Sequence, residues 1–342
     1  MKDKITNRVD VMGYLRENNL QSSTTTKGDR VITGTLTVAF DKFNSIRINV
    51  YAIDKSPEKR TENKAYKALC NLLPNCTTSL KSQLEANPTA TFDTVKDVVT
   101  KISAHCELQE YAFNDDNGKE QSRYKVQLLN WFDSIHVAAA DKFIPENIGA
   151  KFTVDAYIES IRPEMKKVGE DVEETGRFLV TGLTPNFAGL MQRITYVTEA
   201  GSVSDYIQEH WRVGECTYFT GVVNNLMVVE QKAGVQQGFG QSAANTTTTT
   251  FIEERMIRGG GQESFDANED GMEKAGFTST DVKEGLVKRA TKIAENANKQ
   301  VEKAANANQP PKATKDFGFG NNLPGDVSGA PESFNTFDPK GF

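Results

Sequence analysis

The chain has 342 residues, with 40 Lys and Arg against 46 Asp and Glu, a formal net charge of −6 and 37% hydrophobic residues. That length exceeds what one core usually supports, so two domains plus an appendage are expected; the acidity excludes a surface coated all over with positive charge but allows a local cationic groove. No run of about 18 apolar residues and no basic-apolar-small leader pattern occurs, so a cytoplasmic protein that is neither membrane-spanning nor exported is expected.

Residues 1–29 mix charge with the run Ser22-Ser23-Thr24-Thr25-Thr26 and read as an N-terminal arm, with Val9, Val11, Met12, Tyr14 and Leu15 as a short apolar docking face. In VITGTLTVAF a period of two appears, placing Ile32, Leu36, Val38 and Phe40 on one side and Val31, Thr33, Thr35 and Thr37 on the other. SIRINVYAI continues it after a four-residue gap suited to a hairpin, with Ile46, Ile48, Val50 and Ala52 inward and Arg47, Asn49 and Tyr51 outward. From Thr61 to about His105 the spacing predicts helices: AYKALCNLL, ended by Pro74, then a stripe of Phe92, Val95, Val98, Val99 and Ile102. Strand alternation returns in SRYKVQLLNWFDSIHV and closes a first barrel over 30–145.

The second barrel, over 150–260, opens with KFTVDAYIESI and continues past the acidic tip Gly169-Glu170-Asp171 as RFLVTGLTP and LMQRITYVT. A helix SDYIQEHW, capped by Ser202 or Ser204, then precedes ECTYFTGVVNNLMVVEQ and FIEERMIRG. Five strands with a helix between the third and fourth is the element order of an oligonucleotide-binding barrel. Thr33-Gly34, Thr181-Gly182 and Thr220-Gly221 each put a glycine inside a strand, as expected where a small barrel bends or another backbone comes close. The fold class is therefore mainly β: two tandem oligonucleotide-binding-like barrels, the first with a helical insertion. Residues 261–280 read as a linker. Residues 281–306 form an exposed helix with a thin stripe of Leu286, Ala290, Ile293, Ala297, Val301 and Ala304, and 307–342 a disordered tail with isolated Phe residues.

Enzymatic chemistry fails on inventory. The only histidines, His105, His136 and His210, lie in no triad or metal-ligand motif, and no phosphate-cradling or dinucleotide loop is present. Cys70, Cys76, His105 and Cys106 lack the short Cys-x2–4-Cys knuckle of a structural zinc, and reduced, mostly buried thiols are expected. No cofactor or metal is implied. Arg30, Lys42, Phe43, Arg47, Tyr51, Lys55, Lys59 and Arg60 instead interleave cations with rings around one hairpin, the combination that neutralises phosphates and stacks unpaired bases. In the second barrel the candidates are Tyr157, Arg162, Arg177, Arg193, Tyr196 and Trp211, while Trp131 and Trp211 read as core.

The succession VITGTLTVAF, SIRINVYA, a helical insertion, KFTVDAYIESIRPEM, TGRFLVTGLTP and YFTGVVNN resembles the tandem oligonucleotide-binding-barrel proteins of tailed bacteriophages infecting Gram-positive bacteria, over roughly residues 30–260. The resemblance implies a non-enzymatic single-stranded DNA-binding protein of phage DNA replication or recombination. It also implies recruitment of replication proteins through a terminal aromatic, for which Phe334, Phe337 and Phe342 are the docking candidates, although Lys340 answers Asp338 and no acidic run precedes the end. The rival expectation is a structural or adaptor protein whose barrels and C-terminal helix bind other proteins.

Overall fold

A computed structural model describes residues 6–55, 62–115, 118–129, 134–138, 142–168, 171–186, 189–232, 246–268 and 276–307. The first part of the chain forms β1 (Asn7–Asn18), β2 (Gln21–Thr24), β3 (Arg30–Ala39), β4 (Ser45–Ile53), α1 (Lys64–Cys70), α2 (Leu80–Ala86), α3 (Phe92–Val95), β5 (Lys101–Asn114), β6 (Glu120–Leu128) and β7 (Ile135–Val137). Then come β8 (Gly149–Val168), β9 (Asp171–Pro185), β10 (Met191–Thr198), α4 (Ser202–His210), β11 (Glu215–Lys232), β12 (Thr246–Gly260), β13 (Phe265–Asp266) and α5 (Ser279–Ala307).

The pairings trace two rings. β1 pairs β3, β3 pairs β4, β4 pairs β6 in parallel, β6 pairs β5, and β5 returns to β1. In the second ring β8 pairs β9, β9 pairs β10, β10 pairs β12 in parallel, β12 pairs β11, and β11 returns to β8. Each ring numbered in chain order runs 1-2-3-5-4-1, the partly open five-stranded arrangement of an oligonucleotide-binding barrel. The parallel step is the short one, resting on Ile48 opposite Val126 and Asn49 opposite Gln127 in the first ring and on Val197 opposite Met256 and Thr198 opposite Ile257 in the second. Helices α1 to α3 fill the gap between the third and fourth strands of the first ring, and α4 fills the same gap in the second.

Period-two patterning explains the strands. Ile32, Leu36, Val38, Ile48 and Ala52 are completely buried, while Arg47 and Tyr51 between them are exposed. The two rings share one apolar core because β1 also pairs β8, setting Val9 opposite Phe152 and Val11 opposite Ala150. Phe152, Tyr196, Phe219 and Trp211 extend this core as a chain of ring contacts, with Trp211 stacked on Phe219 at 5.0 Å and its Nε1 donating to the Gly261 carbonyl at 2.9 Å. Two of the Thr-Gly glycines sit where backbones meet: Gly34, at φ +131°, leaves no room for a Cβ beside the Asn19 carbonyl, and Gly221 none beside the Met256 carbonyl, at an irregularity in β11–β12 pairing.

Several expectations are corrected. The N-terminal arm is β1 and β2: Val9, Val11 and Leu15 alternate into the core, so β1 belongs to the first ring and bridges to the second. The helical stripe does not reach His105, because Ile102, which falls in phase with Val95 and Val99, equally starts the alternation Ile102, Ala104, Cys106, Leu108, all buried in β5. The described part of the linker 261–280 packs, with Ala267 and Phe277 buried against Leu183, Met191 and Cys216. The helix expected to be exposed buries Val282, Arg289 and Ile293, whereas Ala290 of the expected stripe faces outward. Helix α4 begins after Gly201 at φ +88° without a side-chain cap, and Ser204 is buried instead, donating to the Glu199 carbonyl at 2.8 Å. The tail beyond 307, Trp131 and the tip residues Gly169 and Glu170 lie outside the described residues.

Candidate nucleic-acid interface

On the outer face of the first ring, the β3–β4 register sets Thr33 opposite Tyr51, Thr35 opposite Asn49 and Thr37 opposite Arg47. The next strand on this face is β6, with Gln127 beside Asn49 and then Lys125 and Arg123 two and four residues earlier. Across β6 lie Gln109 opposite Lys125 and Tyr111 opposite Arg123. The Arg123 guanidinium stands 5.2 Å from the Phe113 ring centroid, and the Tyr111 and Phe113 rings are 5.8 Å apart. Tyr51 is 53% and Tyr111 44% exposed, rings that a purely structural role would tend to cover. Among the described residues Arg47, Arg123 and Lys125 form no ion pair, although Glu17 lies near Arg47 and Glu107 near Lys125.

The other first-barrel candidates flank this face. Lys42 and Phe43 occupy the β3–β4 turn, held by the Asp41 carboxylate accepting from the backbone N–H of Phe43 at 2.6 Å and of Asn44 at 2.7 Å; the Lys42 ammonium lies 5.1 Å from the Phe43 centroid. Arg30 starts β3, where it meets Asp54 at 3.2 Å and lies over Tyr66 at 5.7 Å, so part of its charge is already answered. Lys55 is exposed beside its bridge partner Glu62. Lys59 and Arg60 lie outside the described residues, as do Phe334, Phe337 and Phe342.

The second-barrel candidates have a different setting. Arg177 meets Glu164 at 2.7 Å and Glu254 at 3.1 Å; burial alone would raise the Glu164 carboxyl, but the hydrogen bond from Arg177 holds it below the ordinary range. Arg193 meets Glu159 at 2.6 Å and Glu120 at 2.9 Å. Tyr157 is half-buried against the Leu183, Met191 and Cys216 cluster, Tyr196 and Trp211 are core, and only Arg162 is exposed. These residues do not form one open surface.

What covers the outer face of β9 and β10 is α5 with the segment before it. Leu183 and Met191 on that face pack with Phe277 and Val282, and Gly285 lets the helix approach, since a Cβ there would stand 2.6 Å from Met191 Cγ. The end of the cap is fixed by charge. Arg289, 4% exposed, donates to Glu110 from Nε at 3.0 Å and from a terminal nitrogen at 2.5 Å, and to Glu120 at 2.7 Å. Glu110 also accepts from the Arg193 backbone N–H at 2.8 Å and from the Ser122 hydroxyl. Hydrogen bonding from Arg289 is the main reason the Glu120 carboxyl is held below its ordinary value. The same β5–β6 hairpin thus turns Glu110, Glu120 and Ser122 toward the second barrel and Tyr111, Phe113 and Arg123 outward.

Sequence reading missed this latter trio: Tyr111 and Phe113 fall between the helical stripe, read to about His105, and the strand SRYKVQLL, and Arg123 within that strand was not singled out; the signal was the alternation of Tyr111 and Phe113 facing SRYK. The cysteines are free, with Cys106 and Cys216 buried, and burial pushes the Cys216 thiol up to about 12. Among the described residues no group of three His, Cys, Asp or Glu is placed to hold a metal, and no helix is long and apolar enough to cross a membrane.

Among solved structures, the chain is similar to the wild-type single-stranded DNA-binding protein from Thermus aquaticus, at 11% identity and a TM-score of 0.39, over 75% of this chain and 93% of that one. It is similar to a deletion mutant of the same Thermus aquaticus protein at 10% identity and a TM-score of 0.40, over 77% and 97%. A search of curated proteins finds no match. The family model YorF matches residues 5–300, through both rings and most of α5, and the chain belongs to the YorF family.

Proposed function

We propose that this protein binds single-stranded nucleic acid, with DNA the preferred ligand, on the outer face of β3, β4 and β6 of the first barrel, and that it serves phage DNA replication or recombination as a non-enzymatic coating protein. One observation carries the reading: among the described residues Arg47, Lys125 and Arg123 form no direct ion pair, and they share one face with the exposed rings of Tyr51 and Tyr111. Cations at that spacing neutralise successive phosphates, and the rings offer π-faces to unpaired bases of any sequence. Asn49 and the threonines opposite add hydrogen-bonding groups without charge. Oligonucleotide-binding barrels use this strand face and the hairpin between their fourth and fifth strands, here β5–β6, for such ligands. No cofactor enters this reading. Recruitment of replication proteins by Phe334, Phe337 and Phe342 is part of the same proposal.

The test is a titration of the full chain with dT oligomers at two salt concentrations. Affinity is expected to fall steeply with salt, and the double variant Arg47→Ala, Tyr51→Ala to bind at least about tenfold more weakly with an unchanged unfolding temperature. Equal affinity of the variant and the parent discards this face; salt-independent binding of a protein partner in its place favours the adaptor reading.

A further inference from the structure

The two barrels also meet at a second place on this side of the molecule. A groove of about 700 Å³ opens beside the β3–β4 turn, walled by Leu80 and Leu84 of α2, Phe92 of α3 and Met227 of β11, with Arg16 and Lys42 at its rim. It adjoins the proposed binding face: Glu17, another lining residue, lies opposite Thr37, and Thr37 lies opposite Arg47. Two phenylalanines with exposed rings neighbour Met227 through the backbone. Its backbone N–H donates to the Phe43 carbonyl at 2.8 Å, and across the β11–β12 ribbon it is opposite Phe251. Phe43 is 45% and Phe251 62% exposed. The junction is held further by Asn44, which donates to Asn224 at 3.2 Å and accepts from the Asn225 N–H at 3.1 Å.

The acids at the groove are mostly engaged. Glu17 pairs with Lys81 at 2.8 Å, Glu85 lies near the same lysine, and Asp41 is turned into its own hairpin. Arg16 and Lys42 have no ion pair among the described residues. Apolar walls, exposed aromatic rings and cations at the lip together suit a planar, apolar-faced group attached to an anion, which is the description of an unstacked base and its phosphate. An apolar peptide would use the walls but not the cations.

We propose that this groove takes unpaired bases of the strand held by Arg47 and Tyr51, with Phe43 and Phe251 as stacking rings and Arg16 and Lys42 on the flanking phosphates. The second barrel then touches the ligand through its β11–β12 ribbon rather than through its covered sheet face. This rests on the reading of the first barrel as a single-strand binder, and the experiment separates the two.

The full chain and the variants Phe251→Ala, Leu84→Glu and Arg47→Ala are titrated with a dT oligomer long enough to pass both barrels, and photocrosslinked to the same oligomer carrying 5-iododeoxyuridine. Phe251→Ala and Leu84→Glu are each expected to weaken binding about five- to tenfold, with crosslinks at Phe43 or Phe251. If Arg47→Ala weakens binding while both groove variants bind as the parent does and crosslinks stay on β4 to β6, the groove inference is overturned and the first-barrel face stands. If Arg47→Ala also binds as the parent does, the underlying reading has failed and takes the groove with it. Should Leu84→Glu disturb α2, Phe251→Ala decides alone, because its ring is mostly in solvent and its removal leaves no cavity.

Discussion

The two barrels have the same ring of pairings and opposite surfaces. In the first, Arg47, Lys125 and Arg123 on the β3–β4–β6 face form no ion pair among the described residues; in the second, the corresponding β9–β10 face lies beneath α5, and Arg177 and Arg193 are each held between two carboxylates. A cation on the right strand of the right fold is therefore not yet a binding residue. What decides is whether the rest of the chain supplies its counter-charge first, and for Arg177 and Arg193 it does so from β6, β8 and β12.

The comparison can be broken most forcefully at Arg289. Replacing it with Ala strands Glu110 as a buried, uncompensated carboxylate, and a loss of about 3–5 kcal/mol in chemical denaturation is expected, together with faster hydrogen exchange in β9 and β10. Gly285→Leu attacks the same cap by crowding Met191, and about 1–3 kcal/mol is expected with no change in oligonucleotide affinity, since the first face is untouched. A smaller and sharper contrast is between Arg123→Ala and Arg177→Ala. The first is expected to weaken dT binding severalfold and to lower the salt slope by about one, the second to leave both unchanged. Equal effects of these two would erase the distinction between the barrels.

Acid gives the mildest probe. Because Glu120 is held below its ordinary value of 4.5 in the folded chain, the stabilisation it lends the α5 cap is complete above that value and lost as pH falls below it. The protection of α5 against hydrogen exchange, taken relative to the intrinsic rate at each pH, is expected to fall between about pH 4.5 and 3 and to stay constant near neutral pH, and the Glu120→Gln variant is expected to lack that fall.

Much of the barrel was legible in the sequence because VITGTLTVAF, SIRINVYAI and the five strands after residue 150 alternate cleanly, and the outward placement of Arg47 and Tyr51 followed from that alternation alone. β1 was not legible: its inward residues are separated by Arg8, Asp10 and Met12, and nothing local says that both of its edges will be paired. β5 was lost because Val95, Val99 and Ile102 satisfy a helical spacing and a strand start at once. The helix α5 was seen, but its docking was not, since the residue that fixes it is an arginine on a face where a hydrophobic stripe was sought. The difference between Arg47 and Arg193 was beyond any local pattern, because Glu159 and Glu120 reach Arg193 only after both rings have closed.

The pairing of β1 with both β5 and β8 bears on how the chain is made. Val9 leaves a ribosome well before its partners Cys106 and Phe152, so an apolar strand must wait for a long following stretch of chain before either edge is paired. A nascent chain that pauses before Phe152 carries that strand with one edge bare, the kind of species that captures other chains or needs a chaperone to shield it. Synthesis speed between Val9 and Phe152 is thus expected to affect yield, independent of the stability of the finished form.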